Sequence, residues 1–395
     1  MRVTNWLQRQ QLKSKNPQRR VGAVEALAVP GNTSAVDALA AALQDEVASV
    51  RLAAAKGLGI LREAQAIPVL VDAMRDSDVG VRGQAAKALG QIGDRYAIDS
   101  LVWGLKDPDS SVRKEAAVAL RDLGWRPIDS EGRALYAVAC GDLKTAAREG
   151  AAALNPLLAA LTDDAASRRQ AAAEALGEIR DPLAVKRLIN ALRDPDASVR
   201  VAAVHSLAKV GDEEVLEPLF NATADPDFHV RLAATEILGK LGRAEFIEQF
   251  VALLQDTSWE VRTAAAQALG RTRSPDVVTP LLQALSDSDS DVRRMAAQAL
   301  GRLKDPRALE PLVTILCDAD MSVRMAAANA LDDIDPGWIR SEAAENAIPR
   351  LEAALNDSEY RVRTTAAEVL ARIQNPPQDS GVSPEESDDD DSAVA

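Results

Sequence analysis

Two charged residue types recur along the chain at a constant separation. In ten copies of a repeat, an aspartate stands six residues before an arginine, and the arginines of successive copies are 31 residues apart except across two longer intervals of 56 and 39 residues. A guanidinium group beside a carboxylate can bind an anion, or the two groups can satisfy each other in an ion pair. Because the pairs recur at the repeat period, we predict a structural ladder of ion pairs rather than a binding site. Its members, whose arginines we call the register arginines, are Asp45, Arg51, Asp76, Arg82, Asp107, Arg113, Asp163, Arg169, Asp194, Arg200, Asp225, Arg231, Asp256, Arg262, Asp287, Arg293, Asp318, Arg324, Asp357 and Arg363.

A second charged column lies nine residues after four successive register arginines. This column, which we call the basic stripe, consists of Lys209, Lys240, Arg271 and Arg302. Two residues further on, the last two copies add Arg273 and Lys304. The net charge of the chain is −14, so a local row of cations could hold an acidic segment of a protein partner. The alternative is that cations near a helix C-terminus complement the helix dipole, and both interpretations can hold.

Large apolar side chains occupy one position three residues before the register arginine. The residues at this position are Phe228, Trp259, Met321 and Tyr360. Such residues could form an apolar ridge for a protein partner, because aromatic side chains are enriched in binding hot spots. They could instead pack as hydrophobic staples at the start of a helix. We predict a staple for Phe228 and leave both interpretations open for Trp259.

No other set of residues has the spacing of a catalytic or ligand-binding motif. The sequence has no glycine-rich phosphate loop and no Ser-His-Asp set, and Cys140, Cys317 and His205 are isolated from further metal ligands. We expect Cys140 to be a buried apolar residue. We therefore predict no catalytic residue, no metal site and no cofactor.

The elements that position these columns are predicted to be helices. A leucine follows each register arginine by seven residues and an alanine follows it by three, which is the spacing of an amphipathic helix. A fixed period of this length is the signature of a solenoid. The fold class is therefore predicted to be all-α, a right-handed α-solenoid of about eleven hairpins over residues 1–374. The first helix of each hairpin would form the convex face and the second the concave face.

Both irregular intervals indicate insertions between the second helix of one hairpin and the first helix of the following hairpin. The longer insertion covers residues 125–149 and is predicted to hold two short helices, and the shorter one covers 335–343. Because both lie at the same point of a hairpin, we expect them to protrude from one edge of the solenoid. Residues 375–395 are rich in aspartate and glutamate and lack lysine and arginine, so we predict a disordered acidic tail. The tail could compete for the basic stripe or could only aid solubility.

The overall charge and the cysteine content limit the classes of partner. A pI of about 4.8 argues against broad nucleic-acid binding, which needs a basic face to neutralise phosphates. Two isolated cysteines fit a reducing compartment, so a cytoplasmic location is expected. We find no signal peptide and no apolar run long enough to span a membrane.

The repeat unit, as in Asp194–Leu207 or Asp287–Gly301, resembles a HEAT-like repeat of the short type first recognised in phycobilisome lyases. The likeness covers nearly all of residues 1–374. It implies a binding scaffold without chemistry or, alternatively, a phycobilin lyase-like or phycobilisome-associated chromophore-handling protein. Deoxyhypusine hydroxylase has a similar fold but needs paired His-Glu dipeptides for iron, and His205 and His229 here precede Ser206 and Val230. That activity is therefore excluded.

From these observations we predict a non-enzymatic scaffold or adaptor that binds a protein partner along its concave face. The residues expected to touch the partner are Lys209, Lys240, Arg271, Arg273, Arg302, Lys304 and Trp259.

Overall fold

The computed structural model describes residues 2–211 and 213–376, and for residues 2–5 only the backbone. The described residues form helices and turns and contain no strand. They divide into two compact units, Met1–Ala222 and Thr223–Ala395. The prediction of an all-α repeat solenoid is confirmed. The predicted acidic tail, apart from its first two residues, lies outside the described residues.

In the first unit the helices are α1 Arg2–Gln11, α2 Pro17–Leu27, α3 Val36–Ala42, α4 Ala48–Leu61, α5 Ile67–Ala73, α6 Val79–Ile92, α7 Ile98–Gly104, α8 Ser110–Asp122, α9 Ser130–Cys140, α10 Leu143–Ala147, α11 Leu154–Ala160, α12 Ala166–Ile179, α13 Val185–Ala191, α14 Ala197–Val210 and α15 Leu216–Ala222. In the second unit they are α16 Phe228–Leu241, α17 Ile247–Leu253, α18 Trp259–Thr272, α19 Val278–Ala284, α20 Ser290–Leu303, α21 Leu309–Ile315, α22 Met321–Ile334, α23 Glu342–Ala354 and α24 Tyr360–Gln374. Short 3-10 turns lead into most of the first helices. In the described part of the chain, no helix combines the length and the apolar composition needed to span a bilayer.

The hairpin of α5 and α6 illustrates how the local sequence sets these bounds. Helix α6 begins where the Asp78 side chain accepts the amide of Val81 at 3.1 Å, and it ends at Gly93, whose φ of 81° lies in the left-handed region. Helix α5 buries Leu70 against Leu89 and the other apolar residues of the core. Each hairpin thus buries one apolar stripe per helix and leaves its polar residues on the surface.

The second helices pack directly against each other within each unit. A methyl group on Gly90 of α6 would lie 2.7 Å from Cβ and 2.9 Å from Cα of Ala119 in α8. In the second unit, Gly239 and Gly270 approach the next helix in the same way, at 2.6 Å from Ala268 Cβ and 2.7 Å from Ala299 Cβ. The glycines therefore allow the C-terminal turns of neighbouring second helices to touch through backbone and alanine.

The register arginine joins each hairpin to the next one. Arg51 donates from Nη1 to the carbonyl of Asp45 in its own turn at 2.9 Å, and from Nε and Nη2 to the two carboxylate oxygens of Asp76, both at 2.7 Å. The Asp76 carboxylate also accepts the amide of Asp78 at 2.8 Å. One guanidinium group thereby closes its own turn and holds the next turn in a bidentate pair.

The same pairing recurs in both units, and the carboxylate partner always belongs to the following hairpin. The remaining ion pairs of this kind are Arg20–Asp45, Arg82–Asp107, Arg113–Asp163, Arg169–Asp194, Arg231–Asp256, Arg262–Asp287 and Arg293–Asp318, at 2.6–2.8 Å. Because each pair is largely shielded from water, it holds neighbouring turns at a constant distance. The hydrogen bonds from Arg51 and Arg169 lower the pKa of the carboxyl groups of Asp76 and Asp194, respectively.

The 25-residue insertion is packed into the repeat stack, so the expectation that it protrudes is wrong. Helix α9 packs against α8, and α10 packs against α12. Leu135, Val138 and Ala146 are buried, because the two short helices fill the place of a further hairpin. The ion-pair ladder continues across the insertion, since Arg113 reaches Asp163 at 2.6 Å.

The shorter insertion, residues 335–343, also packs inward. Trp338 is buried, and its Nε1 donates to Asp332 at 3.2 Å. Most of the extra residues lengthen the first helix of the last hairpin, because α23 has 13 residues where α21 has seven. Within the described residues no ion pair joins Arg324 to Asp357, so the ladder stops at this insertion.

Two glycines of α6 should respond in opposite ways to replacement by alanine. Gly90→Ala places a methyl group against the Ala119 backbone, and we expect it to destabilise the protein by about 1–2 kcal/mol. A methyl group at Gly83 meets only Val112 Cγ2 at 3.9 Å, so Gly83→Ala should stabilise by about 0.5–1 kcal/mol through helix propensity. Chemical denaturation followed by far-UV circular dichroism measures both changes, and equal shifts would contradict the close-contact argument.

Removal of the carboxylate at the insertion should be the most damaging single change in the ladder. Asp163→Ala leaves the buried Arg113 guanidinium without its counter-charge and should cost about 3–5 kcal/mol in the same denaturation assay. The matched control is Asp357→Ala, because Asp357 is exposed and accepts mainly the Glu359 amide. We expect a loss below about 1 kcal/mol for the control, and similar losses for the two variants would refute a stabilising ladder.

The ladder should also make the protein sensitive to acid in a defined range. The folded-state pKa of Asp76 and Asp194 lies below the unfolded value of about 3.9, so their stabilisation is fully present above that value. It is lost as the pH falls through the folded-state pKa. The thermal midpoint should therefore be nearly constant from about pH 7 to 5 and fall below about pH 4. The double variant Asp76→Asn/Asp194→Asn should show a smaller fall on acidification. An equally steep fall in that variant would contradict the assignment.

Candidate protein-binding site

Lys209 ends the second helix α14 in the first unit and has a carboxylate partner there. Its Nζ lies 2.6 Å from Oε1 of Glu178, which occupies the same column position in the preceding repeat. The charge of Lys209 lowers the pKa of Glu178. This member of the predicted stripe is thus neutralised within its own unit.

The other three members of the stripe lie in the second unit, at the last turns of α16, α18 and α20. Lys240, Arg271 and Arg302 are all exposed. Within the described residues, none of the three has a carboxylate at ion-pair distance. The contacts Gly239–Ala268 and Gly270–Ala299 hold these helix ends together, one residue before each cation. At about 8–10 Å between helix axes, the three charges span roughly 20 Å.

Arg273 and Lys304 extend this surface from an unusual backbone conformation. Each follows its helix at the capping position with a positive φ, 54° for Arg273 and 53° for Lys304. The equivalent residue after α16 is Gly242, which adopts φ 62° without a side chain. A left-handed conformation costs a residue with a Cβ roughly 1–2 kcal/mol. Lys240, Arg271, Arg302, Arg273 and Lys304 are called the basic cluster below.

Arg307 borders the basic cluster and was not singled out from the sequence. Its Nη2 lies 2.7 Å from Asp305 Oδ2 and donates to the Pro275 carbonyl at 3.1 Å. It thereby ties the loop after α20 to the loop after α18, and it lowers the pKa of Asp305. Arg307 could have been considered from the sequence, because it follows Arg302 of the basic stripe by only five residues. Its side chain is engaged with the loops, so it supports the cluster rather than adding a free charge.

Trp259 lies at the opposite end of α18 from Arg271 and is 42% exposed. Phe228 is half-buried, and its ring lies 3.9 Å from that of His229. Met321 and Met325 on α22 are 62% and 56% exposed, one helical turn apart. Met321 was expected at this surface from the sequence and Met325 was not, although Met325 directly follows the register arginine Arg324. Apolar side chains thus lie near helix N-termini and cations at helix C-termini of the same unit.

The isolated residues considered from the sequence lie apart from this surface. Cys140 is exposed at the end of α9, which differs from the expected buried position, and Cys317 is buried. Burial raises the pKa of the Cys317 thiol to about 11. Among the described residues, no group of three or more histidine, cysteine or carboxylate side chains is placed to hold a metal ion.

The family described as HEAT repeats matches residues 8–82, 73–139, 154–227, 216–289 and 278–371. No curated protein sequence matches the chain at a significant level. Similar solved structures include an engineered protein with 25% sequence identity and a TM-score of 0.42. The match covers 86% of this chain and 98% of the engineered protein. The YibA protein of Escherichia coli has 19% sequence identity and a TM-score of 0.39. The match covers 82% of this chain and 97% of YibA. Human deoxyhypusine hydroxylase has 25% sequence identity and a TM-score of 0.28. The match covers 76% of this chain and 97% of the hydroxylase.

Proposed function

Because the chain belongs to the HEAT-repeat family, we propose that it is a non-enzymatic scaffold or adaptor that binds a protein partner through its second helices. The partner would present an acidic segment to the basic cluster. The observation that carries this proposal is a group of five exposed cations on one unit, none of which has a carboxylate partner among the described residues, in a protein whose net charge is −14. We place this function in the cytoplasm, which two free cysteines support.

Arg273 and Lys304 lie at capping positions where a cation adds little stability to its own helix. A cation that only complements the helix dipole contributes about 0.3–1 kcal/mol, which is no more than the left-handed conformation costs. Glycine would be the more stable residue at these capping positions. Arg62 and Arg180 of the first unit adopt the same conformation, so the support for a binding role comes from the position of Arg273 and Lys304 beside the other cations of the basic cluster. Trp259 and Met325 supply apolar surface on the same unit, where a partner helix with one apolar face could pack.

The phycobilin-lyase alternative is supported only by the likeness of the repeat unit to that subfamily. The family match extends to HEAT repeats and no further. No contact of the described residues favours chromophore handling over protein binding.

Charge removal from the basic cluster should weaken partner capture without unfolding the protein. The test variant combines Lys240→Gln, Arg271→Gln, Arg302→Gln, Arg273→Gly and Lys304→Gly. The immobilised wild-type chain is incubated with native lysate, and the captured proteins are compared by quantitative mass spectrometry. We expect at least one partner with an acidic segment to be captured about tenfold less by the variant, and its capture by wild type to fall with added salt.

The matched control carries Arg62→Gly and Arg180→Gly. Both arginines also follow a second helix with positive φ, 55° and 57°, but they lie in the first unit. The control should capture the same proteins as wild type. Identical capture by the cluster variant, or an equal loss in the control, would refute the proposed surface.

A further inference from the structure

We propose that an open cavity beside Arg113 in the first unit binds a carboxylate carried on an apolar body. The cavity has a volume of about 560 Å³ and lies between the turn after α7, helix α9 and helix α11. It exists because the insertion α9–α10 separates two hairpins that would otherwise stack directly. The lining residues that matter for the argument are Lys106, Arg113, Leu135, Val138, Pro156 and Ala159.

Arg113 differs in its hydrogen bonds from the ladder arginines that form bidentate pairs, and only Arg20 of the first hairpin shares its pattern among the described pairs. In the regular pairs Nε and Nη2 both donate to the next aspartate, as Arg82 does to Asp107 at 2.8 and 3.1 Å. Arg113 donates to Asp163 from Nη2 alone, at 2.6 Å. The whole residue is only 3% exposed, and its buried Nε has no hydrogen-bond partner among the described residues. A buried N–H without an acceptor is costly, so this group calls for a ligand oxygen.

The missing hydrogen bond has a cause in the sequence. The residue before the register arginine is valine in nine of the ten copies of the ladder, and the exception is Arg168 before Arg169. Arg168 Nε occupies the second oxygen of Asp163 at 2.8 Å, and its Nη2 donates to the Val138 carbonyl at 2.9 Å. The oxygen that Arg113 Nε would use in a regular pair is therefore already engaged.

The charge balance around Asp163 favours an anion. One carboxylate there faces two guanidinium groups, and the side chains of Arg113, Asp163 and Arg168 are 4%, 3% and 23% exposed. Asp107, which also lines the cavity, is already paired through both oxygens with Arg82. One positive charge thus remains in excess in a poorly solvated place, where an added carboxylate would be strongly stabilised.

The rest of the cavity defines the body of the ligand. Leu105, Leu135, Val138, Pro156 and Ala159 supply the apolar part of the wall, which suits a hydrocarbon chain or an apolar side chain, and polar residues line the rest. At the rim, Lys106 Nζ lies 2.7 Å from Glu131, and both side chains are more than half exposed. An exposed pair of this kind opens at little cost and could admit the ligand.

The test measures binding to the full-length chain by isothermal titration calorimetry. Octanoate represents a free acid with a hydrocarbon chain, and N-acetyl-leucine represents the C-terminal residue of a peptide. We expect saturable binding of at least one of them at one site, and at least tenfold weaker binding of the uncharged analogues 1-octanol and N-acetyl-leucine amide. The probe that binds more tightly identifies the source of the carboxylate. No saturable binding of either acid, or equal binding of the uncharged analogues, would overturn the proposal.

Two variants locate the site. Arg168→Val restores the residue of the regular copies and frees the Asp163 oxygen for Arg113 Nε, so it should lower the affinity at least tenfold while the protein stays folded. Ala159→Phe fills the cavity from an exposed position and should have the same effect. Ala252→Phe, at the equivalent exposed position of α17 in the second unit, is the matched control and should bind as wild type does. Unchanged affinity in Arg168→Val or in Ala159→Phe would place the ligand elsewhere and refute the assignment, once circular dichroism has confirmed the fold.

Discussion

Before the shorter insertion, the paired register arginines divide their guanidinium groups between two hairpins, and the regularity of the stack depends on that division. One nitrogen of Arg262 closes its own turn on the Asp256 carbonyl at 2.9 Å, and two others hold Asp287 of the next hairpin at 2.8 Å. The pairs are largely shielded from water, and a typical carboxylate such as that of Asp287 accepts both a guanidinium group and a turn amide. Glycine and alanine at the other end of the second helices then allow close contact. The second helices of a stack with few aromatic residues are therefore held together at both of their ends. Ion pairs join the turns at one end, and close glycine–alanine contacts join the helices at the other.

Departures from this regular arrangement are where specific properties arise. At the longer insertion the ladder continues, but Arg168 replaces a valine and leaves Arg113 with an unused buried donor. At the shorter insertion the ladder stops, and a buried tryptophan and a longer helix join the last hairpin to the rest of its unit. Both insertions therefore act within the core of the stack. The longer insertion also opens a cavity with an excess of buried positive charge.

The basic cluster arises from a different kind of departure. In the first unit the stripe position is neutralised, since Lys209 meets Glu178 in the preceding repeat. In the second unit three successive copies carry like charges with no carboxylate between them, and close glycine contacts keep those charges near each other. Like charges at this separation oppose each other through water, so the arrangement is unfavourable without a partner. It contributes little to folding and is suited to binding an acidic surface.

The sequence alone determined the fold class and the positions of the charged columns, because each depends on a local period that the copies repeat. It also indicated the cations of the cluster, since they differ from the other copies at one column. It could not decide which residues meet across hairpins. That Asp76 pairs with the arginine of the preceding hairpin, that Lys209 is neutralised by Glu178, and that the insertions pack inward all follow from contacts between residues far apart in the chain. The unused Nε of Arg113 is the clearest case, because it depends on the competition of two arginines for one carboxylate, and only the tertiary structure brings those three groups together.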